Sequence, residues 1–291
     1  MELLDGKKTS LEIQNELSEK VKSLVLNGSN PPHLAAVLVG DDGPSRTYVN
    51  AKVKACDKVG FKSTLHHLSS DASELELLKI IKELNEDDSV DGFIVQLPLP
   101  NHIDNNKITL AISPKKDVDG FHPENIGKMT LGLPTFLPAT PNGVMELLKR
   151  YDIPTEGKKT VVIGRSSIVG TPMSILMSRK SNPGNSTVTL AHSRTKNLDD
   201  ICKQADILIV AIGIPEFVTS NMVKPNAVVI DVGIHRIEDT SKKNGFRLIG
   251  DVNFNEVSSK CSYITPVPGG VGPMTIASLL TNTYIASNER N

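Results

Sequence analysis

The sequence predicts an α/β fold that is divided into two domains. Short apolar runs typical of buried strands alternate with segments that carry apolar residues at helical spacing, a pattern that favours parallel sheets covered by helices. A stretch rich in Pro and Gly, residues 114–143, separates two such patterns, and the alternation restarts at Lys159. The length of 291 residues exceeds what one small core needs and suits two domains.

The first predicted domain covers residues 1–140. It opens with a helix, because Thr9-Ser10-Leu11-Glu12 is a capping-box pattern with apolar residues at helical spacing behind it. A second helix is expected over residues 45–59. A third begins at Asp71-Ala72-Ser73-Glu74, and short buried strands are expected over residues 34–39 and 92–95.

The second predicted domain covers residues 141–273, with a helix over 143–151 leading into it. Strands are expected over residues 160–163, 187–191, 207–210 and 227–230, with a helix from about residue 170. A Pro- and Gly-rich loop over residues 265–273 precedes a last helix, 274–285. We expect the segment 274–291 to pack back on the first domain, because chain termini often lie close together.

Composition excludes several classes of protein. The formal net charge of −1 lacks the basic surplus of a nucleic-acid binder, and the absence of Trp disfavours base-stacking platforms. No apolar run approaches the roughly 20 residues that a membrane span needs, and no basic, then apolar, signal segment opens the chain. Three widely spaced cysteines fit a reducing compartment, so the sequence predicts a cytoplasmic protein with neither nucleic-acid nor membrane partners.

A glycine-rich turn connects the first strand of the second domain to the next helix. The segment from Gly164 to Gly170 has Ser166 where the second glycine of a dinucleotide fingerprint would stand, and Gly170 falls one residue late. Backbone N–H groups at the helix start would still hold a pyrophosphate. On this segment alone, an ordinary strand–helix turn is an equal alternative to a Rossmann-like NADP-binding domain.

The end of the next strand favours NADP over NAD. NAD sites usually place Asp or Glu about 20 residues beyond the glycine-rich turn, to bind the ribose hydroxyls. Here the strand ends in Leu190-Ala191-His192-Ser193-Arg194-Thr195, which contains no acid. Arg165, Ser193 and either Arg194 or His192 are instead suited to bind a 2′-phosphate by charge-assisted hydrogen bonds.

Candidate catalytic groups lie in the first domain. Tyr48 and Lys52 are four residues apart on a predicted helix and therefore share a face, as acid–base work would require. Spacing alone favours the simpler interpretation of a solvated Lys beside a half-buried Tyr. Gln96 follows a strand where α/β sheets place ligand groups, and either orients a substrate or satisfies the loop backbone.

Two further segments are candidate substrate contacts. Asp119, in the charged turn 115–122, offers a carboxylate for a ring that bears N–H and NH₂ donors, as a pterin does, although a polar turn with Asx bonding is favoured on sequence alone. The segment has no recognisable pattern of metal ligands, so no metal is expected. The loop 265–275 lets its backbone approach a flat ligand closely, or simply caps the last helix.

These segments together carry a family resemblance. They run in order over nearly the whole chain: Val39-Gly40, Ser45, Tyr48-Val49, Lys52, Asp91–Pro100, Lys116–Gly120, Pro138–Gly143, Gly164–Pro172, His192-Ser193, Asp231–Gly233, Gly250–Val252 and Pro266–Thr275. In this order they resemble the bifunctional methylenetetrahydrofolate dehydrogenase/methenyltetrahydrofolate cyclohydrolase family. The run Gln-Leu-Pro-Leu-Pro and the last loop are its most specific parts.

The resemblance implies roles for individual residues. Lys52 is similar to the catalytic lysine of the family, Tyr48 to the tyrosine that positions it and the folate, and Gln96 to the glutamine that supports both activities. Asp119 matches the carboxylate that holds the pterin ring. The resemblance also implies substrate contacts at Pro266, Gly269 and Gly270. Cofactor contacts are implied at Gly164, Arg165, Ser166, Ile168, Ser193 and Ile234.

The implied function has two steps. NADP would oxidise 5,10-methylenetetrahydrofolate to 5,10-methenyltetrahydrofolate, which is then hydrolysed to 10-formyltetrahydrofolate. The implied protein is a homodimer whose chains have two α/β domains with a cleft between them. A monofunctional NAD(P)-dependent dehydrogenase of the same fold and a non-catalytic dinucleotide-binding module are the alternatives.

Three positions depart from the commonest family pattern. Ala139 and Ala191 stand where Cys is frequent, and His235 stands where Asn is frequent. None of the three is expected to be catalytic, so the predicted activities stand. Because His235 replaces this Asn, the sequence does not predict the chemistry of the pocket on the nicotinamide side.

Overall fold

The computed structural model describes residues 1–242 and 245–290, which form two compact units. The six-strand unit contains Met1–Ser10 and Thr140–Thr275. The three-strand unit contains Leu11–Ala139 and the residues from Ile276 onward. Each unit contains a parallel sheet and helices, so the mixed α/β fold predicted from the sequence is confirmed.

The helices and strands follow one another along the whole chain. In order they are β1 (Glu2–Leu3), α1 (Gly6–Leu26), β2 (His33–Val39), α2 (Gly43–Val59), β3 (Lys62–Leu68), α3 (Glu74–Glu86), β4 (Gly92–Val95), α4 (Asn105–Ala111), α5 (Pro123–Leu131), α6 (Ala139–Arg150), β5 (Lys159–Ile163), α7 (Gly170–Ser178), β6 (Thr187–Ala191), α8 (Leu198–Cys202), β7 (Ile207–Val210), β8 (Val228–Asp231), β9 (His235–Glu238), β10 (Phe246–Ile249), α9 (Phe254–Val257), β11 (Tyr263–Ile264) and α10 (Val271–Arg290). No helix among the residues described is long and apolar enough to cross a membrane.

The sheet of the three-strand unit has the order β3-β2-β4, and all its pairs are parallel. Every residue of the central strand β2 is buried, which explains its continuous apolar run. Val37 pairs with Val95, the last residue of β4. The residue after Val95 therefore lies at the carboxyl edge of this sheet, where α/β proteins present ligand groups.

Side-chain caps decide where the helices of the three-strand unit begin. The Asp42 carboxylate accepts hydrogen bonds from the backbone N–H and the hydroxyl of Ser45, which fixes the start of α2. Ser73 and Glu76 form a reciprocal capping box at the start of α3. The helix α2 begins two residues before its predicted start, and α3 begins at Glu74, the last residue of the segment predicted to start it.

The first helix begins one turn earlier than predicted. The capping-box pattern at Thr9 suggested a start there, but α1 begins at Gly6. Asp5 acts as the cap instead, because its Oδ1 accepts a hydrogen bond from the backbone N–H of Lys8 at 2.8 Å. The Thr9 hydroxyl donates back to the Asp5 carbonyl oxygen and caps nothing.

The six-strand unit has a parallel sheet with the order β1-β11-β8-β7-β5-β6. Its edge strand β1 comes from the extreme N-terminus, where Leu3 pairs with Ile264 and the Leu4 N–H donates to the Ile264 carbonyl oxygen at 2.9 Å. The sequence prediction had grouped the first ten residues with the rest of 1–140. The sheet pairing groups them with the six-strand unit.

The last helix contributes to both units and runs from Val271, three residues before its predicted start. Within the three-strand unit, the Asn282 side-chain amide donates hydrogen bonds to the carbonyl oxygens of Val118 and Leu137, at 2.8 Å and 3.0 Å. Asn282 is buried, so these bonds satisfy a polar group that would be costly to leave unpaired. They also hold the turn that precedes Asp119.

Candidate active site

Lys52 lies on the buried face of α2, in the three-strand unit. Only 8% of its surface is exposed, and Val49 and Cys56 accompany it on this face. Its Nζ donates a hydrogen bond to Gln96 Oε1 at 3.1 Å. A buried ammonium needs such a partner, so the solvated-lysine interpretation of the spacing does not describe this residue.

Gln96 is held at the carboxyl edge of the three-strand sheet. Its backbone N–H donates to the Val37 carbonyl oxygen at 2.9 Å, which extends the pairing of β4 with β2 by one bond. Its side-chain Nε2 donates to the Leu97 carbonyl oxygen at 2.6 Å. This second bond turns the amide oxygen towards Lys52, so the sheet and the following loop together fix the partner of the lysine.

Asp119 places a carboxylate in the same unit. Burial raises the pKa of Asp119, while the positive charge of Lys52 acts in the opposite direction and Asp117 reinforces the increase. The Asp117 carboxylate already has protein partners, because its Oδ2 accepts hydrogen bonds from His122 N and Asn125 Nδ2. Within the described part of the chain, no residue donates a hydrogen bond to the Asp119 carboxylate.

The side chain of Asp119 lines a pocket with apolar walls that include Val95, Leu97 and Phe121. An acceptor that is desolvated yet free of protein donors is suited to a ligand that brings its own N–H groups. On sequence alone, the favoured interpretation of Asp119 was a polar turn stabilised by bonds from a side-chain carboxylate to the backbone. In the structure, Asp117 makes such a bond and Asp119 does not.

Tyr48 is half-buried, one helical turn before Lys52. Burial raises the pKa of its phenol, so the hydroxyl stays protonated at neutral pH. The shared helix face predicted from the spacing is present, but among residues 1–242 and 245–290 no hydrogen bond joins Tyr48 to Lys52. The structure thus pairs Lys52 with Gln96 and leaves the Tyr48 hydroxyl available.

In the six-strand unit, the loop after β11 is closely packed. Gly269 has φ +111°, a conformation that favours glycine, and its carbonyl oxygen accepts a hydrogen bond from Lys7 N at 2.8 Å. A Cβ on Gly270 would come within 2.6 Å of the Pro266 carbonyl oxygen. These glycines are therefore required by the course of the loop itself, before any ligand is considered.

The turn after β5 has the geometry of a nucleotide-binding turn. Gly164 has φ +115°, and a Cβ on Gly170 would overlap the Gly164 carbonyl group, so glycine is required at both positions. Ser166 Oγ accepts hydrogen bonds from the N–H groups of Val169 and Gly170, at 3.2 Å and 3.4 Å. The serine at the second glycine position thus serves as a cap for the start of α7.

The rest of this turn is open to an anion. Arg165, Ser166 and Ile168 are exposed, and Ile168 is 37% exposed. In the described ranges, the backbone N–H groups of residues 165–168 have no protein acceptor. Unpaired N–H groups at the carboxyl edge of a parallel sheet are the donors that a pyrophosphate needs.

Cationic side chains collect where β5 and β6 end next to each other. Ile163 pairs with Ala191, and Gly164 N donates to the Ala191 carbonyl oxygen at 2.9 Å, so Arg165 and Ser193 leave from adjacent strand ends. Arg165, Ser193 and Arg194 are all exposed, and none of the described acidic side chains forms a salt bridge with either arginine. This chemistry fits the dianionic 2′-phosphate of NADP.

Sequence reasoning assigned no role to two acids of the six-strand unit. Asp231 ends β8 and Asp251 follows β10, and both are buried. Burial raises the pKa of Asp231 to about 6, with the nearby Asp251 adding to the increase against three backbone N–H groups that lower it. The available signal was an acid within two residues of a glycine after an apolar run, as in Asp231-Val232-Gly233 and Gly250-Asp251-Val252.

Ile234 lies in the segment that follows Asp231 and is 42% exposed. Its neighbour His235 is half-buried, with Nε2 at 2.7 Å from Asp251 Oδ1. An exposed aliphatic side chain at the carboxyl edge of this sheet is available to contact a bound cofactor. Of the departures noted from the family pattern, Ala139 and Ala191 are both buried, and Ala191 belongs to the hydrophobic core of the six-strand unit.

A nucleotide-binding sheet in one unit and the set of Lys52, Gln96 and Asp119 in the other are typical of a two-domain α/β dehydrogenase. Comparison with known proteins specifies the family. Residues 4–119 match the family described as "Tetrahydrofolate dehydrogenase/cyclohydrolase, catalytic domain", and residues 138–291 match its "NAD(P)-binding domain". The chain belongs to this tetrahydrofolate dehydrogenase/cyclohydrolase family, as the resemblance of its motifs implied.

Individual relatives agree with this assignment over nearly their whole length. The chain is 65% identical to "Bifunctional protein FolD" of Cytophaga hutchinsonii over 287 residues, which cover 99% of each chain. The bifunctional FolD enzyme of Campylobacter jejuni superposes with a TM-score of 0.92 at 50% identity, covering 99% of both chains. The Trypanosoma brucei enzyme, solved with NADP and an inhibitor, superposes at 0.93 with 37% identity, covering 98% of this chain and 96% of that one.

Proposed function

We propose that the protein oxidises 5,10-methylenetetrahydrofolate to 5,10-methenyltetrahydrofolate with NADP+ and then hydrolyses the product to 10-formyltetrahydrofolate. The observation that carries this proposal is the hydrogen bond from the buried Lys52 Nζ to Gln96 Oε1, near the donor-free carboxylate of Asp119, in a chain of this family. One-carbon chemistry on a tetrahydrofolate accounts for both the buried lysine and the nucleotide-binding sheet.

Asp119 binds the pterin ring. The pyrimidine half of a reduced pterin carries an N–H and an exocyclic NH₂, which together match the two oxygens of one carboxylate. Because Asp119 has been desolvated without receiving protein donors, it gains most from a ligand that supplies two. Tyr48 offers its protonated hydroxyl near Lys52, while Pro266, Gly269 and Gly270 offer a rigid backbone surface to the substrate.

Bound NADP+ would supply the redox chemistry, as the acceptor of the hydride from the bridging methylene carbon. The chain's own residues would bind and orient it. The N–H groups of residues 165–168 would hold the pyrophosphate, and Gly164 allows the close approach of the turn. Arg165 and Ser193 would bind the 2′-phosphate, while Ile168 and Ile234 would offer apolar contacts.

Hydrolysis of the methenyl cation needs proton transfer. Water adds to the cationic carbon, the bond from that carbon to N5 breaks, and one proton is released as 10-formyltetrahydrofolate forms. The Lys52 ammonium gives a proton to the departing nitrogen, and the resulting amine takes a proton from the water-derived hydroxyl as the formyl group forms. Gln96 keeps the lysine nitrogen in place through a neutral acceptor, so that its proton is not locked in an ion pair.

An assay for NADPH formation from 5,10-methylenetetrahydrofolate, run with NADP+ and NAD+ in parallel, tests the first activity. Hydrolysis of supplied 5,10-methenyltetrahydrofolate without cofactor tests the second. We expect both activities, with NADP+ preferred. Oxidation without hydrolysis would indicate a monofunctional dehydrogenase, and the loss of both activities would contradict the proposal.

The family resemblance also implies a homodimer, and the composition favours the cytoplasm, where the protein would act on tetrahydrofolate derivatives. Light scattering after gel filtration measures the mass of the particle against the 31.4 kDa chain. A mass of one chain would contradict the dimer. Fractionation of cells that express the protein tests the compartment.

A further inference from the structure

Two buried carboxylates connect separate segments at the carboxyl edge of the six-strand sheet. Asp231 Oδ1 accepts hydrogen bonds from Gly233 N at 2.9 Å and Asp251 N at 3.0 Å, and its Oδ2 accepts one from Val252 N at 2.9 Å. A Cβ on Gly233 or on Gly250 would overlap one of the two carboxylates. The segment after β8 and the segment after β10 are therefore packed directly onto these acids.

Asp251 extends the connection to a third segment. Its Oδ2 accepts hydrogen bonds from the N–H groups of Ile212 and Gly213, at 2.8 Å and 3.0 Å, in the loop after β7. Its Oδ1 lies 2.7 Å from His235 Nε2. Because an ionised carboxylate only accepts hydrogen bonds, His235 Nε2 carries the proton and donates. One fully buried acid thus joins the loop after β7 to the start of β9.

The loops after β7 and β8 lie where the nicotinamide half of a bound dinucleotide is expected. The cations that suit the 2′-phosphate lie at the ends of β5 and β6, on one side of the sheet order. A dinucleotide that crosses the glycine-rich turn after β5 extends its other half towards β7 and β8, which pair through Val210 and Asp231. The loops after β7 and β8 are those joined by Asp251 and His235.

We propose that His235 is a positioning residue for the hydride-transfer step. By donating to Asp251, it holds Ile234 and the Ile212–Gly213 loop in one arrangement on the nicotinamide side of the cofactor. This inference rests on the proposed dehydrogenase activity and deepens it. Hydride transfer depends on the alignment of donor and acceptor, so loss of this hydrogen bond lowers kcat more than it weakens cofactor binding.

Three variants test the role of the hydrogen bond. His235→Leu removes the donor, His235→Gln restores an amide N–H near the position of Nε2, and Glu238→Gln is the control on the exposed face of the same strand. We expect His235→Leu to lower dehydrogenase kcat roughly tenfold or more, because a small misplacement of reacting groups slows a reaction by about one to two orders of magnitude. His235→Gln is expected to recover most of it.

The cyclohydrolase activity of the same preparations is the internal reference. It needs no cofactor, so we expect it to change less than about twofold, and the KM for NADP+ to change less than about threefold. His235→Ala provides a second truncation should the leucine variant fail to fold. An equal fall in both activities, or an unchanged dehydrogenase, would overturn the positioning role. Wild-type protein without NADPH formation would instead overturn the proposed function.

Discussion

Among the single residues, the partner of Lys52 is the most informative. Buried lysines usually face a carboxylate, but here the hydrogen-bond partner is the neutral amide of Gln96. The Asp119 carboxylate contributes to the electrostatics of Lys52 without a direct hydrogen bond to it. This arrangement keeps the lysine nitrogen positioned while leaving it free to exchange protons with a ligand or water.

Replacing Lys52 with methionine keeps the length and the apolar stem of the side chain but removes the proton carrier. We expect hydrolysis of 5,10-methenyltetrahydrofolate to slow by at least about 100-fold, the lower range for general acid–base catalysis. NADP+ binding, measured by titration calorimetry, should be unchanged. Lys54→Met, on the exposed face of the same helix, is the matched control. Near-normal hydrolysis by the Lys52 variant would remove this residue from the mechanism.

We infer that the choice of cofactor depends most on Arg165. Replacing it with alanine would remove the proposed charge-assisted hydrogen bond to the 2′-phosphate, which NAD does not carry. We expect the KM for NADP+ to rise about 10- to 100-fold, and the KM for NAD+ to rise by no more than about threefold. Steady-state kinetics with both cofactors measure this, with Lys180→Ala as the exposed control. Equal increases would contradict the assignment.

The sequence located the candidate side chains better than it located their partners. Lys52 and Gln96 were placed on the correct helix and strand end, because a helix face and a strand end can be identified from local patterns. Their hydrogen bond spans 44 residues of sequence and could not be predicted from those patterns. The bonds that give Asp251 its role span 38 and 39 residues and end on backbone N–H groups, which carry no sequence signal.

Among the helices and strands, prediction succeeded where one strong local rule applied. The strands β2, β4, β5, β6 and β7 were predicted within one residue, because buried parallel strands are short continuous apolar runs. β3 was not predicted, since this edge strand has the sequence Lys62-Ser-Thr-Leu-His-His-Leu68 and is exposed along much of its length. The antiparallel pair β9 and β10 was also not predicted, because each strand has four residues, which is the shortest length at which an alternating pattern can be recognised.

The turn between β5 and α7 depends on the close packing of Gly170 against Gly164. A Cβ there overlaps the Gly164 carbonyl group, and backbone cannot give way as a side chain can. We expect Gly170→Ala to lower the free energy of unfolding by about 1–3 kcal/mol, as other overpacked sites do, and to weaken NADP+ binding. Urea unfolding and cofactor titration measure the two effects.

Gly127→Ala is the matched control for this substitution. It lies inside α5, where a Cβ would meet nothing within 4 Å, and alanine in a helix is favoured over glycine by roughly 0.5–1 kcal/mol. The two glycine-to-alanine changes should therefore shift stability in opposite directions. A Gly170→Ala protein as stable as Gly127→Ala would mean that the turn adapts and that its close packing is not required.

In the molecule as a whole, the two structural units are not two successive halves of the sequence. The residues that open the sequence supply the edge strand of a sheet whose other strands come from residues 159–264. Two residues of pairing cannot be predicted from periodicity, since an alternating pattern needs at least four residues to be recognised. The N-terminus therefore matters to the nucleotide-binding unit, although the sequence placed it in the other domain.

Substitutions at Leu4 and Leu3 test this connection. Leu4 is fully buried and its N–H donates to Ile264, whereas the side chain of its neighbour Leu3 is 44% exposed. We expect Leu4→Ala to lower the free energy of unfolding by about 2–5 kcal/mol, the usual cost of truncating a fully buried leucine. Leu3→Ala should change it by less than about 1 kcal/mol, because an exposed side chain loses little burial on truncation. If urea unfolding gives the two variants equal stability, the N-terminal strand is not an integral part of the sheet, and the chain's first residues belong functionally with the domain predicted for them.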